Sequence, residues 1–177
     1  NLISYLVDFK LPILIDKPIA TNLNDLKSIL QLSSYKSQFF TSSGLYFAKE
    51  IKKFPKNLNE ILRIKAITHG PWDRYAIHII NPLEKYFASN NLKLNNFKSY
   101  QKNKFKDQVM LKLNFNDLIV ELVSGSNEVF GVMFVFEYKS GKIDKITFMD
   151  TYTAFYEMLN CFTRQVETRK PFFTEED

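Results

Sequence analysis

The chain has 177 residues, 45% of them hydrophobic and 15% aromatic, which excludes a disordered tail and leaves room for one domain or a domain plus part of another. The net charge of +5 is spread over scattered lysines, with local density at residues 49–53 and 98–106, so no basic stripe of the kind that holds nucleic acid is present. One cysteine, Cys161, rules out an internal disulfide framework and fits a reducing, cytoplasmic setting.

No apolar run approaches the roughly 18 residues of a membrane span. Asp8 and Lys10 break the first apolar stretch, so no secretory leader is read there. The chain opens on Asn1 rather than Met, and we expect it to be a fragment or a processed product. Leu2, Ile3, Leu6 and Val7 have helical spacing. The run "PILI" at residues 12–15 then predicts a strand buried on both faces, as in a parallel sheet. Thr21, Asn22 and Asn24 offer helix caps, with Asp25 in the first turn and Leu23, Leu26, Ile29 and Leu30 as the apolar face. Helix, buried strand, helix is the end of a doubly wound α/β unit, expected over residues 1–36.

After residue 37 the pattern changes. Residues 38–48 ("QFFTSSGLYFA") read as extended, residues 49–60 as basic and broken by Pro55, and residues 63–68 ("RIKAIT") as a strand. Residues 73–89 predict a helix capped by Asp73, with Ala76, Ile80, Leu83 and Phe87 on its inner face. Alternation at Val109, Leu111, Leu113 and Phe115 predicts a half-buried strand. Asn116-Asp117, Gly125-Ser126-Asn127 and Ser140-Gly141-Lys142 then turn the chain through "LIVELV", "VFGVMFVFEY" and "IDKITF". Four strands joined by short turns imply an antiparallel sheet with one face covered. Phe130, Phe134 and Phe136 are assigned with Val132 to its core face, which argues against a base-stacking RNA surface. A last helix over residues 152–168 has Phe155, Leu159, Phe162 and Val166 on one side. The fold class is therefore α+β: an open, mainly antiparallel sheet covered by helices on one face, preceded by a helix–strand–helix piece of a parallel α/β domain.

Two stretches can carry chemistry. The first is Asp16-Lys17-Pro18, just past the carboxyl end of the buried strand, where such sheets bind ligands. Pro18 fixes the backbone there, and a lysine beside a carboxylate can polarise a substrate oxygen or donate a proton. The second is "THGPWDRYAIHIINPLEKYF" at residues 68–87, which holds both histidines and the only tryptophan. Pro82 removes the hydrogen bond to the carbonyl of His78, so His78 sits at an expected helix irregularity and is a candidate acid–base group. His69 and His78 do not share a helical face and no carboxylate or thiol completes a set, so no metal is expected. Ser42-Ser43-Gly44 reads as a turn or bulge, without the glycines of a phosphate loop, and no G-x-G-x-x-G occurs.

Taken in order, these segments resemble the Gfo/Idh/MocA family of NAD(P)-dependent oxidoreductases. "LPILIDKPIATNLNDLKSIL" is similar to the late strand of that family's Rossmann domain, which ends in Glu-Lys-Pro, with Asp16 for the usual Glu. "SGLYFAKEI" resembles the first strand of its C-terminal domain. "WDRYAIHIINPLEKYF" resembles its histidine-bearing helix, and "YTAFYEMLNCFTRQVETRKPFFTEE" its closing helix and tail. The resemblance implies a dinucleotide-binding remnant over residues 1–36 and a substrate-binding and oligomerisation domain over residues 37–177.

It further implies NAD or NADP as cofactor, a sugar-like or polyol substrate, and a homo-oligomer formed through the sheet. No nucleic-acid or membrane partner is expected. Lys17 and His78 would be the catalytic residues, with Asp16, Lys17 and Pro18 near the nicotinamide and Trp72, Asp73, Arg74 and Tyr75 near the substrate. The chain departs from the family pattern where the helix acid, four before the histidine, falls on Arg74, and where a strand arginine falls on Tyr46. Asp73 lies about 100° away on the helix, and Arg74 is suited to an anionic substrate group. The glycine fingerprint and the ribose-binding acid would lie upstream of Asn1, so the isolated chain is expected to be inactive. The alternative is a non-catalytic binding or assembly module on the same fold.

Overall fold

The computed structural model describes residues 2–20 and 22–173. In chain order it contains helix α1 (Leu2–Val7), strand β1 (Ile13–Leu14), helix α2 (Leu23–Gln31), strands β2 (Phe39–Phe40) and β3 (Ile61–Thr68), and helices α3 (Trp72–Tyr75) and α4 (Ile77–Ala88). Strands β4 (Ser99–Phe105), β5 (Gln108–Asn114), β6 (Ile119–Ser124), β7 (Val132–Tyr138) and β8 (Ile143–Phe148) follow, and helix α5 (Thr151–Thr168) closes the fold. The α+β class is as expected, with a six-stranded, mainly antiparallel sheet beside a two-stranded parallel one.

The large sheet has the order β4-β5-β6-β3-β7-β8. It is not the four-strand meander that the short turns suggested. Strand β3 inserts between β6 and β7, parallel to the first (Ala66 opposite Leu122) and antiparallel to the second (Ala66 opposite Phe134). Gly125-Ser126-Asn127 is therefore not a hairpin turn. It begins a connection over residues 125–131 that crosses the end of β3, held by Gly125 N–H to the Gly70 carbonyl (2.8 Å) and Ser126 N–H to the Thr68 carbonyl (3.2 Å). Gly125 has φ +70° and a Cβ there would meet the Asp107 carbonyl oxygen at 2.3 Å, so only glycine fits. Strand β4 went unread because all seven of its residues are exposed and it shows no alternation. It is an edge strand, and its Lys102 and Lys104 suit an edge that must not pair with another chain.

The alternate faces of the sheet differ in chemistry. Ile64, Ala66, Val120, Leu122, Phe134 and Phe136 point into the core and are fully or almost fully buried. Helix α4 covers them with Ile79, Leu83, Tyr86 and Phe87, a wider stripe than the expected Ala76/Ile80/Leu83/Phe87 line. Phe54 wedges between Phe134 and Phe136, at 4.8 and 4.9 Å between ring centroids. The other face carries Arg63, Lys65, Glu121 and Glu137, with Arg63 paired to Glu137 at 3.7 Å.

Four further expectations give way. Residues 38–48 are not extended throughout: only Phe39 and Phe40 form a strand, and Ser43 caps a 3-10 turn at Gly44–Phe47. Helix 73–89 is divided at Ala76, and its first turn is entered through Pro71 without a cap from Asp73. Phe130 precedes β7 in the crossing connection rather than in the strand, so alternation does not apply and it is 96% exposed. In α5 the buried line is Ala154, Met158, Cys161 and Gln165, one residue before the Phe155/Leu159/Phe162/Val166 line. Gln165 explains the offset. Its amide is buried because it donates to the carbonyls of Ser37 (2.9 Å) and Phe39 (3.0 Å) and accepts from Phe172 N–H (2.9 Å).

The N-terminal segment, residues 2–36, is tied to the rest through polar bridges. Asn22, not the neighbouring candidates, caps α2 by accepting from Asp25 N–H; Thr21 lies outside the described residues. Strand β1 is parallel to β2 as expected of its type but is not buried on both faces, since Ile13 is half-buried and Leu14 exposed; its pairing carries hydrogen bonds across the expected boundary between residues 36 and 37. Gln38 is fully buried and donates to the carbonyls of Val7 and Leu11. Helix α2 buries no residue, and Leu23 and Leu30 are exposed. No helix among the described residues is long and apolar enough to cross a membrane.

The aromatic wedge under the sheet yields a stability test. Phe134→Ala empties a fully buried site and is expected to cost about 3–5 kcal/mol in urea denaturation of this chain. Phe130→Ala, at an exposed position, is expected to cost less than about 0.5 kcal/mol.

Candidate active site

The carboxyl end of β3 delivers Thr68 and His69 to one side of the molecule, and Gly70 turns the chain sharply into α3. The turn is so tight that a Cβ on Gly70 would lie 2.1 Å from the Tyr75 ring. That close approach seats Tyr75 between the two histidines, 4.9 Å from His69 and 5.6 Å from His78 between ring centroids. Phe130 stacks on the far side of His69 at 5.6 Å.

Helix α4 carries His78, Asn81 and Lys85 at spacings of three and four, which put them on one stripe. All three grip the segment at residues 43–47. Ser43 Oγ lies 2.7 Å from His78 Nδ1, Ser43 N–H donates to Asn81 Oδ1 at 3.0 Å, and Lys85 Nζ donates to the Tyr46 carbonyl at 2.9 Å while lying over the Tyr46 ring. Helix α5 supplies the opposite wall. Its start is clamped by Glu50, whose Oε1 accepts from Met149 and Asp150 N–H, and by an ion pair of Lys49 with the cap residue Asp150. Asp150 is held down to about 2, first by its hydrogen bond to Lys49 and then by that to Thr153 N–H.

Between these elements lies a cavity of about 270 Å³. Asp16 and Lys17 enter it from the turn after β1, His69 from β3, His78 and Tyr75 from the α3–α4 region, and Phe155 and Met158 from α5. The Lys17–Pro18 peptide bond is cis. The structure thus brings together Asp16, Lys17, Tyr75 and His78 of the residues singled out in the sequence. It does not bring in Trp72, which packs against the core, or Asp73 and Arg74, which are exposed. Sequence reasoning passed over Ser43, Thr68 and Asn81. The Ser43–Asn81 and Ser43–His78 bonds span 38 and 35 residues, and no spacing rule signals them.

Electrostatically His78 is kept neutral. Burial, first, and the positive charge of Lys17, second, hold it down to about 4; Asp16 pulls the other way and His69 adds a smaller push downward. At the base of the cavity Thr68 Oγ1 is buried without a partner. No group of three or more metal-ligating side chains occurs among the described residues. Leu45, Phe148, Phe155 and Met158 give the cavity apolar walls, and Asp16 and Lys17 add charged groups to its lining. No loop among the described residues has the glycine pattern for a pyrophosphate.

No protein-family model and no curated protein sequence matches the chain. Solved structures do. The chain is similar to a dehydrogenase (MviM) from Clostridium difficile, with a TM-score of 0.68 and 15% identity over 99% of this chain and 69% of that one. It is also similar to a dehydrogenase from Chromobacterium violaceum, with a TM-score of 0.63 and 10% identity over 96% of this chain and 66% of that one. At these identities the likeness shows the fold: the chain has the architecture of the C-terminal part of dehydrogenases of this type and spans about two thirds of their length.

His78 makes stability depend on pH in a set window. Its folded value lies below the ordinary 6.5, so the unfolded chain binds the extra proton and stability is complete only above about 6.5. Stability is expected to fall as pH drops from about 6.5 to about 4, and the fall is expected to be shallower in His78→Gln; urea midpoints measured across that range check it.

Proposed function

We propose that this chain is the C-terminal part of an NAD(P)-dependent oxidoreductase that transfers hydride between nicotinamide and a sugar-like or polyol alcohol or ketone carbon. The observation that carries this reading is that Lys17, past the end of the parallel strand β1, and His78, on helix α4, line one cavity. Ligand sites of α/β sheets lie at such strand ends. The structurally similar proteins from Clostridium difficile and Chromobacterium violaceum are dehydrogenases, which supports it.

In the proposed site Asp16, Lys17 and Pro18 border the nicotinamide end of the cofactor, which when bound supplies or accepts the hydride. Lys17 places a positive charge and a proton at the oxygen on the reacting carbon. Negative charge that develops on that oxygen during reduction is stabilised by Lys17 in a cavity with mostly apolar walls, where the interaction is stronger than in water. His78 and Tyr75 fix the oxygen's position from the opposite side, and Phe155 and Met158 keep water from the reacting carbon. The hydroxyls of Ser42 and Thr151 offer partners for further substrate hydroxyl groups.

In an enzyme carrying this chain, Lys17→Ala and His78→Ala are each expected to lower turnover about 100-fold or more, measured as nicotinamide oxidation with a panel of sugars and polyols. Losses below about threefold in both would favour a non-catalytic binding or assembly module on this fold.

A further inference from the structure

We propose that Ser43 holds His78 in the tautomer that carries its proton on Nε2, so that His78 donates a hydrogen bond to the substrate oxygen and Lys17 supplies the proton. The second half rests on the oxidoreductase reading; the tautomer does not.

Ser43 is fully buried, so water does not satisfy its hydroxyl. A serine hydroxyl has one hydrogen to give and two lone pairs. One lone pair accepts from Leu45 N–H at 3.2 Å. Among the described residues the only acceptor offered to the hydrogen is His78 Nδ1, at 2.7 Å. If Nδ1 carried a proton, the Ser43 hydrogen would be left buried without a partner, which is costly. Nδ1 is therefore the acceptor, and the proton of the neutral ring resides on Nε2. Ser43 N–H also donates to Asn81 Oδ1 at 3.0 Å, so the backbone of Ser43 is tied to the same helix that carries His78.

Nε2 is then the ring nitrogen left for a molecule in the cavity, and with a proton on it there is no lone pair to remove a substrate proton. A doubly protonated ring is opposed by the charged groups that face it: Lys17 from the β1 turn and His69 from the end of β3 are both repulsive and Asp16 alone attracts, while Tyr75 packs against the ring at 67° between planes. Geometry and charge thus agree on a neutral hydrogen-bond donor. In the reduction direction the carbonyl carbon gains a hydride, the π pair moves onto oxygen, and that oxygen takes a proton from the Lys17 ammonium. Lys17 is left as a neutral amine that solvent reprotonates, the nicotinamide is oxidised, and His78 keeps its proton. Ser43 is a positioning residue in this scheme and touches no substrate.

The test is long-range proton–nitrogen NMR of the two histidine rings of this chain at pH 7, with His69 as the internal control. The Nε2–H form of His78 is expected to exceed the Nδ1–H form by at least about tenfold. Ser43→Ala is expected to lower that ratio by about fivefold or more, the loss of one hydrogen bond, while Ser43→Thr, which keeps the hydroxyl, restores it. An Nδ1–H ring in the unaltered chain overturns the proposal even if Ser43→Ala fails to fold, and so does a ratio that Ser43→Ala leaves unchanged. In the enzyme, His78→Gln, whose side-chain amide keeps a donor, is expected to turn over at least about ten times faster than His78→Ala; equal loss contradicts the donor role. The NMR measurement needs no substrate, so an enzyme without nicotinamide-dependent turnover counts against the oxidoreductase reading and leaves the tautomer result to stand or fall on its own.

Discussion

Strand β3 is hydrogen-bonded along both edges, parallel to β6 and antiparallel to β7, and the cavity depends on where that strand ends. Because β3 occupies the place between β6 and β7, the chain joining those two must cross its carboxyl end. The crossing connection and the turn at Gly70 bond to each other there. Their backbones are thus satisfied locally, as buried peptide groups must be, and Thr68 and His69 are left at the floor and rim of a hollow. The same topology sends α3 and α4 back over the core face, which brings Tyr75 and His78 to that hollow.

The rest of the cavity is assembled by polar contacts between stretches far apart in sequence. The stripe His78, Asn81 and Lys85 on α4 captures the turn at residues 43–47, and α5 packs over that turn with Phe155 against Gly44. Gln165 and Gln38, both buried, tie α5 to the β2 segment and that segment to α1. A buried amide with every group paired is directional in a way that an apolar contact is not. The lysine and the histidine line one cavity in that framework, and burial of the histidine, with the lysine's charge second, keeps it neutral.

Much of this was legible in the sequence where burial on one face imposes a period. The α+β class, the positions of β5 to β8, the helices and the meeting of Asp16-Lys17 with Tyr75 and His78 followed from alternation, strand-end logic and family resemblance. What escaped reading has physical reasons. Strand β4 has no buried face, so it has no period. The insertion of β3 is a long-range pairing, and two runs separated by a glycine turn look alike whether they form a hairpin or straddle a third strand. The line of α5 was misplaced because Gln165 is buried by hydrogen bonding rather than by hydrophobicity. The family resemblance placed Asp73 and Arg74 near the substrate, yet both are exposed on α3 and neither lines the cavity. Ser43 carried no signal, since a serine before a glycine is an ordinary turn until the helix it touches is known.

The central claim is that the turn after β1 and helix α4 form one electrostatic site. Titration of His78 by NMR, in this chain and in its Lys17→Ala form, measures that directly. The account predicts a midpoint near 4 that moves upward when the lysine charge is removed. A midpoint near the ordinary 6.5, unmoved by Lys17→Ala, would contradict it.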